Sequence, residues 1–270
     1  MIKSITSTSN PLVKKVVQLT EKAKFRKEYG LFVVEGIREI TMALKGGFEI
    51  RTLLYNPDII GFDKIMRMGD FEVKNLEIIE INDVVYDKIA YREGTEGVIG
   101  LFSSKETDIK TVSLASKNPL ILVAEAPEKP GNIGALLRTA DAAGVDLFII
   151  ANPNTDLYNP NIIRASLGSV FTTKVVASIT DDVIAWLRKN NIEIHCALLS
   201  KKSVPYFETD FKGPCAIVLG TESEGLSEDW VKNADKNIII PMHGTVDSMN
   251  VSVSGAILVF EALRQRSQNF

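Results

Sequence analysis

Apolar runs of strand length and stretches with helical periodicity follow one another along the chain. Leu120–Ala124 and Leu147–Ile150 are typical of buried strands, and apolar residues recur at helical spacing between them. The longest predicted helix, Asn250–Gln265, carries no charge before Glu261. Because strands that alternate with helices usually form parallel sheets covered on both faces, the pattern predicts an α/β fold.

A polar stretch at residues 103–117 is rich in Ser, Thr and Lys, shows no period and is typical of a linker. We therefore predict a first domain at residues 1–105, a linker at 106–117 and a second domain at 118–270. The elements predicted in the first domain are a helix from Pro11 to Gly30, strands Leu31–Val34, Ile50–Tyr55, Leu76–Ile79 and Val98–Phe102, and helices Ile37–Leu44, Asp58–Met68 and Asn82–Ala90. In the second domain, besides the strands and the helix already named, we predict strands Lys174–Ala177, Glu193–Leu198, Ala216–Leu219 and Asn237–Ile240. We also predict a helix that begins at Asn132 and helices Ile162–Leu167, Asp181–Asn190 and Ser227–Asn233.

Composition excludes several classes of protein. Hydrophobic residues make up 45% of the chain and charged residues 24%, which is ordinary for a soluble globular protein. The N-terminus lacks the apolar core of a signal peptide, and the apolar stretch Ser248–Phe260 is too short to span a bilayer. Cys196 and Cys215 are expected to be buried without a disulfide, which favours the cytoplasm. The two histidines and two cysteines have no metal-ligand spacing.

Charge is unevenly distributed along the chain. The net charge of −3 argues against a chain that binds nucleic acid electrostatically as a whole. The first thirty residues nevertheless hold seven basic side chains against Glu21 and Glu28. The seven are Lys3, Lys14, Lys15, Lys22, Lys24, Arg26 and Lys27. Such an arm is compatible with a surface that contacts phosphates, and equally with a solvated helix face.

Three stretches rich in Gly and small polar residues each follow a predicted strand and open a helix. They are Glu125–Gly144, Leu219–Ser227 and Ile240–Val253. Ligands of open α/β sheets bind where loops leave the carboxyl ends of strands, so one site built from all three is expected. The chain has no Gly-x-Gly-x-x-Gly after a strand, no phosphate-binding Gly-x-x-x-x-Gly-Lys loop and no Gly-x-Ser-x-Gly elbow.

In the first stretch, Arg138 is the single charge on a helix face that it shares with Gly131, Ala135 and Ala142. An ordinary surface ion pair for Arg138, and a helix cap for Asn132, remain open. In the second stretch, Gly220 allows a flat ligand to pack on the backbone and Glu222 can orient Arg138, although acidic residues also suit a helix start. In the third, Ser248 and Asn250 each have a plain capping alternative.

Together the three stretches closely resemble the signature motifs of the SpoU/TrmH family of SPOUT RNA methyltransferases, in order and spacing over about residues 118–266. Residues 1–105, with Phe32–Glu39, resemble the RNA substrate-binding domain often fused to that catalytic domain. The resemblance implies a C-terminal parallel-sheet domain with a deep trefoil knot, and a small N-terminal α/β/α domain like ribosomal protein L30e. It implies a homodimer with the last helix in the interface. It also implies methylation of a ribose 2′-hydroxyl in structured RNA, with ribosomal RNA as the preferred substrate.

The resemblance also assigns residues by position. The implied catalytic residues are Asn132, Arg138, Glu222, Ser248 and Asn250. The implied contacts to S-adenosylmethionine, largely through the backbone, are Leu199, Gly220, Ile240 and Met249. Met249 stands where the family usually has Leu, and this change conserves volume and apolarity, so cofactor binding is expected to survive.

The implied reaction moves a methyl group from a sulfonium to an oxygen and needs no metal, because the leaving group departs neutral. Family accounts assign removal of the hydroxyl proton to the arginine. A guanidinium stays protonated in proteins, so we expect Arg138 to stabilise the developing alkoxide and hold an RNA phosphate. A phosphate oxygen or Glu222 then helps to take the proton. A non-catalytic RNA-binding module, a transfer RNA substrate and a nucleotide-dependent oxidoreductase are the alternatives, and the missing dinucleotide fingerprint disfavours the last.

Overall fold

In the computed structural model, which describes residues 3–69, 76–91, 96–221 and 223–267, the chain divides into two units. The first combines Met1–Glu106 with Asp156–Thr172, and the second combines Thr107–Thr155 with Thr173–Phe270. The division differs from the sequence prediction because Asp156–Thr172 packs in the first unit. Part of the predicted linker also packs, since Ile109 in a short 3-10 helix is buried in the core of the second unit.

A five-stranded mixed sheet forms the centre of the first unit, in the order β1-β4-β3-β5-β2, with β5 antiparallel to β2 and β3. Its strands are β1 (Lys3–Ile5), β2 (Leu31–Glu35), β3 (Ile50–Tyr55), β4 (Glu77–Ile81) and β5 (Val98–Ser103). Its first five helices are α1 (Pro11–Glu21), α2 (Ala23–Tyr29), α3 (Ile37–Lys45), α4 (Phe62–Met66) and α5 (Asp83–Ile89). The predicted helix from Pro11 to Gly30 is therefore broken at Lys22, whose backbone is extended.

A parallel sheet forms the centre of the second unit, in the order β10-β12-β9-β11-β6-β7-β8. Its strands are β6 (Leu120–Glu125), β7 (Leu147–Ala151), β8 (Val175–Ser178), β9 (Glu193–Ala197), β10 (Val204–Pro205), β11 (Cys215–Leu219) and β12 (Lys236–Ile239). The helices that follow in chain order are α6 (Pro130–Ala143), α7 (Pro160–Ala165), α8 (Ser169–Thr172), α9 (Thr180–Lys189), α10 (Glu228–Asn233) and α11 (Val251–Arg266), of which α7 and α8 lie in the first unit. The parallel sheet expected here is confirmed.

An aromatic cluster explains why Asp156–Thr172 belongs to the first unit. The ring of Phe32 in β2 stacks on the ring of Tyr158, with 4.2 Å between the ring centroids. The ring centroid of Phe171 lies 5.8 Å from that of Phe32. The Tyr158 hydroxyl donates to the carbonyl of Lys105 at 2.8 Å. Burial raises the pKa of Tyr158 to about 12, so the phenol stays neutral and keeps this hydrogen bond.

Helix α11 packs against α6 and β11 in the second unit. A side-chain carbon at Gly255 of α11 would lie 2.6 Å from Leu136 and 2.9 Å from Leu219, which is closer than van der Waals contact. Glycine therefore lets α11 lie against these two side chains of α6 and β11 without displacing them. Both cysteines are buried and free, as expected. Within the described residues no helix is long and apolar enough to cross a membrane.

Candidate active site

The register of the second sheet brings three of the four predicted cofactor residues to one edge. Leu219 of β11 pairs with Ala124 of β6 on one side and Ala197 of β9 on the other, and Ala197 pairs with Ile238 of β12. Because these strands are parallel, the loops that follow them leave from the same edge. Gly220, Leu199 and Ile240 come one or two residues after that row of paired residues.

This edge presents apolar side chains to solvent. The side chain of Leu199 is 74% exposed, and Ile240 is half-buried. Met249, in the segment that leads into α11, is also half-buried. Apolar surface beside the backbone of three loops can bind a flat ring and its polar edge. Such a lining fits S-adenosylmethionine, because its adenine is flat and its sulfonium does not need to be surrounded by carboxylates. Among the described residues, no cluster of His, Cys, Asp and Glu could hold a metal ion.

The first and third stretches meet at two asparagines. The Nδ2 of Asn250 donates to the Oδ1 of Asn132 at 3.1 Å. Asn132 is buried in the first turn of α6, where Lys129 is the N-cap, so the capping role left open for Asn132 is wrong. Asn250 does cap α11, since its Oδ1 accepts the N–H of Ser252 at 2.9 Å. One side chain therefore both begins a helix and reaches the first stretch.

Arg138 lies on the exposed face of α6. Gly131 and Ala142 are also exposed and Ala135 is half-buried, while the opposite stripe is fully buried. That buried stripe consists of Ile133, Leu136, Leu137 and Ala140. In the described part of the chain no hydrogen bond or ion pair to Arg138 is found, so the surface ion pair left open by the sequence is not seen there. With a rise of about 1.5 Å per residue, Arg138 lies roughly 9 Å along the helix from Asn132.

The second stretch forms a tight loop after β11. The N–H of Thr221 donates to the carbonyl of Gly225 at 2.9 Å, and the reverse bond measures 3.2 Å. A side-chain carbon on Gly220 would lie 2.2 Å from the carbonyl carbon of Gly225, so only glycine fits there. Ser223 Oγ donates to Glu128 at 2.6 Å and thereby joins this loop to the first stretch. Glu222, an implied catalytic residue, lies outside the described residues.

Ser248, like Arg138, is an implied catalytic residue that the structure does not link to the others. Its side chain is exposed, and its Oγ lies 3.4 Å from an oxygen of Asp247. Within the described residues, Ser248 makes no hydrogen bond to Asn132, Arg138 or Asn250. The structure therefore joins Asn132 with Asn250 directly, and it presents Ser248 and Arg138 separately to solvent.

Sequence reasoning missed a buried carboxylate at the same edge. Glu125 ends β6, is 4% exposed and accepts the N–H and the Oγ of Ser227 at 2.9 and 2.7 Å. The Oγ1 of Thr180 donates to the same carboxylate at 3.3 Å. Buried charges need partners of this kind. The signal in the sequence was an acidic residue that closes an otherwise apolar strand.

Comparisons with known proteins bear on the family of this chain. The family model of the SpoU rRNA methylase family matches residues 119–260, and that of the MRM3-like substrate binding domain matches residues 10–100. A 23S rRNA (uridine(2479)-2′-O)-methyltransferase of Streptomyces viridochromogenes is 28% identical over 89% of this chain and 85% of that protein.

A second relative is the 23S rRNA (guanosine(2553)-2′-O)-methyltransferase RlmP of Bacillus subtilis (strain 168), which is 26% identical over 96% of this chain and 98% of that protein. A crystal structure of AdoMet-bound rRNA methyltransferase from Sinorhizobium meliloti is 30% identical, with a TM-score of 0.89 over 97% of this chain and 98% of that one. AdoMet is S-adenosylmethionine. The family model matches more than half of the chain, and the three motifs meet at one edge of the sheet. The chain therefore belongs to the SpoU rRNA methylase family.

Proposed function

We propose that this protein transfers a methyl group from S-adenosylmethionine to a ribose 2′-hydroxyl of structured RNA, with ribosomal RNA as the substrate. The observation that carries the proposal is the meeting of three strand-end stretches at one sheet edge, through Asn250 with Asn132 and Ser223 with Glu128. An active site for group transfer needs donor and acceptor held together, and three loops at one edge supply that.

The cofactor site is assigned to the loops after β9, β11 and β12. Leu199, Ile240 and Met249 offer apolar contact to the adenine, and Gly220 brings backbone polar groups close to it. The bound cofactor supplies a methyl group activated on a sulfonium. The tight turn between Thr221 and Gly225 holds the loop in shape before binding, which reduces the entropy lost when the ligand is ordered.

Arg138 is assigned to the RNA rather than to the cofactor. Its exposed guanidinium has no anionic partner among the described residues, so it is available to a phosphate or to the oxygen that gains charge in the reaction. Because a guanidinium does not give up its proton in proteins, Arg138 acts by electrostatic stabilisation. The hydroxyl proton leaves to an RNA phosphate oxygen or to Glu222, and Asn132 with Asn250 holds the start of α11 beside α6.

One relative is named as a uridine methyltransferase of 23S rRNA and another as a guanosine methyltransferase of 23S rRNA. The proposal therefore names ribosomal RNA as the substrate and does not specify which base carries the methylated ribose. The first unit, which contains the match to a substrate binding domain, holds the RNA. Free buried thiols at Cys196 and Cys215 suit a reducing cytoplasm as the compartment.

The proposal includes a trefoil knot in the second unit. Support comes from the strand order, in which β12 lies outside β9 and β11 while the chain then returns as α11 to contact α6 beside β6. It also includes a homodimer through α11. Val253 and Phe260 are one heptad apart on that helix and are 48% and 46% exposed, which leaves an apolar stripe on its outer face.

The decisive test is Arg138→Ala. Transfer of labelled methyl from S-adenosylmethionine to 23S rRNA transcribed in vitro is expected to be lost, while calorimetry shows cofactor affinity within about twofold of wild type. Arg51→Ala is the matched control, since Arg51 is an exposed arginine of the first unit whose contacts among the described residues are with Glu49 and the hydroxyl of Ser103. Retained turnover in Arg138→Ala would refute the assigned role, and absence of cofactor binding by the wild-type protein would refute the function.

The dimer has a separate test. Phe260→Asp is expected to convert the species seen by light scattering from two copies to one, because a carboxylate on an apolar interface is not solvated. Phe207→Asp changes an exposed phenylalanine of the second unit outside α11 and is expected to leave the mass unchanged. A wild-type protein that elutes as a monomer contradicts this part of the proposal.

A further inference from the structure

The corner between α1 and α2 is held rigidly by one arginine. Of the seven basic residues near the N-terminus, Arg26 is buried, and its Nη1 donates to the carbonyls of Leu19 and Thr20 at 2.6 and 3.1 Å. Arg26 also pairs with Asp156. These contacts satisfy carbonyls that the end of α1 leaves open and fix α2 against α1. Arg26 is therefore a structural residue, and the expectation that it belongs to an exposed basic arm is wrong.

Five lysines remain on the outside of this corner with no acidic partner among the described residues. They are Lys14, Lys15, Lys22, Lys24 and Lys27. The only acidic residues in the same segment are Glu21 and Glu28, so the corner is positive although the whole chain carries −3. A local excess of positive charge on a negative protein attracts polyanions to one place.

Two aromatic rings lie among these lysines. Phe25 and Tyr29, one turn apart on α2, stack with 6.2 Å between centroids, and Tyr29 is 43% exposed. Lys15 Nζ lies 4.6 Å from the centre of the Tyr29 ring. A cation–π contact at an exposed site is weak, so Lys15 can leave the ring for a phosphate and free the ring for a base.

We propose that this corner, made of the five lysines and Tyr29, binds an unpaired segment of RNA by stacking a base on Tyr29 and contacting the flanking phosphates with the lysines. Proteins recognise single-stranded RNA by this combination of exposed ring and ammonium groups. The inference rests on the proposed function, because it takes the RNA substrate as the ligand. It adds a contact surface remote in sequence from the three stretches of the active site.

The test uses the full-length protein and 23S rRNA transcribed in vitro, with affinity measured at several KCl concentrations. Lys24→Gln/Lys27→Gln is expected to weaken binding and to lower the slope of log K against log salt by about 2. Lys64→Gln/Lys189→Gln removes the same charge from exposed lysines elsewhere and leaves the slope unchanged. Tyr29→Leu is expected to weaken binding about tenfold, whereas Tyr29→Phe retains the ring and binds like wild type.

An unchanged slope in Lys24→Gln/Lys27→Gln, or wild-type affinity in Tyr29→Leu, overturns the inference. Displacement of the RNA by polyglutamate at equal charge concentration also overturns it, because the surface would then suit an acidic protein. Calorimetry of S-adenosylmethionine binding on the same proteins separates the two proposals. A protein that binds RNA through this corner but does not bind the cofactor supports the inference and contradicts the proposed function.

Discussion

Asn250 donates a hydrogen bond to Asn132 across 3.1 Å, and the two residues are 118 positions apart in the chain. The bond ties the N-terminus of α11 to the first turn of α6. Both residues also belong to the set that family resemblance assigns to the active site. The arrangement therefore lets one contact serve the fold and the proposed chemistry together.

The first prediction is that Asn132→Ala and Asn250→Ala are coupled. Each change is expected to lower the free energy of unfolding by about 1 kcal/mol, since each removes the hydrogen bond between the two side chains. The double variant should lose less than the sum, with a coupling of at least about 0.5 kcal/mol in urea denaturation. Asn233→Ala supplies the comparison, because among the described residues the Asn233 side chain bonds only to the carbonyl of Asp229, so its effect should add to that of Asn132→Ala without coupling.

The second prediction concerns Gly220. A methyl group there meets the backbone of Gly225 at 2.2 Å, and backbone yields less easily than a side chain. Gly220→Ala is expected to destabilise the protein by about 1–3 kcal/mol and to weaken S-adenosylmethionine binding at least about tenfold. Gly213→Ala places its methyl group in open space and should change neither the thermal midpoint nor the calorimetric affinity appreciably.

The third prediction concerns the buried carboxylate of Glu125. Glu125→Ala leaves Ser227 and Thr180 without their acceptor, and a loss of about 1–3 kcal/mol of stability is expected from denaturant titration. The change should also raise the KM for S-adenosylmethionine, because Ser227 ends the loop that begins at Gly220. The exposed Glu208 provides the control, since Glu208→Ala should cost no more than about 0.5 kcal/mol. Equal effects of the two changes would contradict this account of Glu125.

The fourth prediction concerns pH. Burial lowers the pKa of His195 from its usual 6.5, although its hydrogen bond to Glu193 acts in the opposite direction. Below pH 6.5 the unfolded chain gains a proton on this ring that the folded protein does not, so stability is lost as the pH falls from 6.5 towards the folded pKa. The slope from this group is at most about 1.4 kcal/mol per pH unit.

Replacement of His195 by Phe should remove that part of the slope between about pH 7 and about pH 5 in urea titrations. A slope that survives in His195→Phe would show that other groups cause the acid sensitivity.

Most strands were predictable because a buried strand is an apolar run bounded by turn residues. β3 has the predicted bounds Ile50–Tyr55, and β11 begins one residue earlier than predicted. The meeting of three loops at one edge was also predictable, since parallel strands end on the same side. β1 was missed because its three residues are too few to show a period.

Features set by distant contacts were not predictable. The break at Lys22 has no Gly or Pro to signal it, and the contacts of Arg26 with the end of α1 account for it. Glu125 was passed over because its partners, Thr180 and Ser227, lie 55 and 102 residues further along the chain. Such partners become neighbours only through the order of the strands.

The stacking of Tyr158 on Phe32 bears on how this protein can be cut and recombined. The first unit is not one continuous stretch, so a fragment that stops at residue 106 loses a ring from its own core and the carboxylate that Arg26 holds. A chimaera joined at that point would set one parent's Phe32 against the other parent's counterpart of Tyr158. Exchange of substrate-binding modules between relatives therefore has to carry residues 156–172 along with the N-terminal segment.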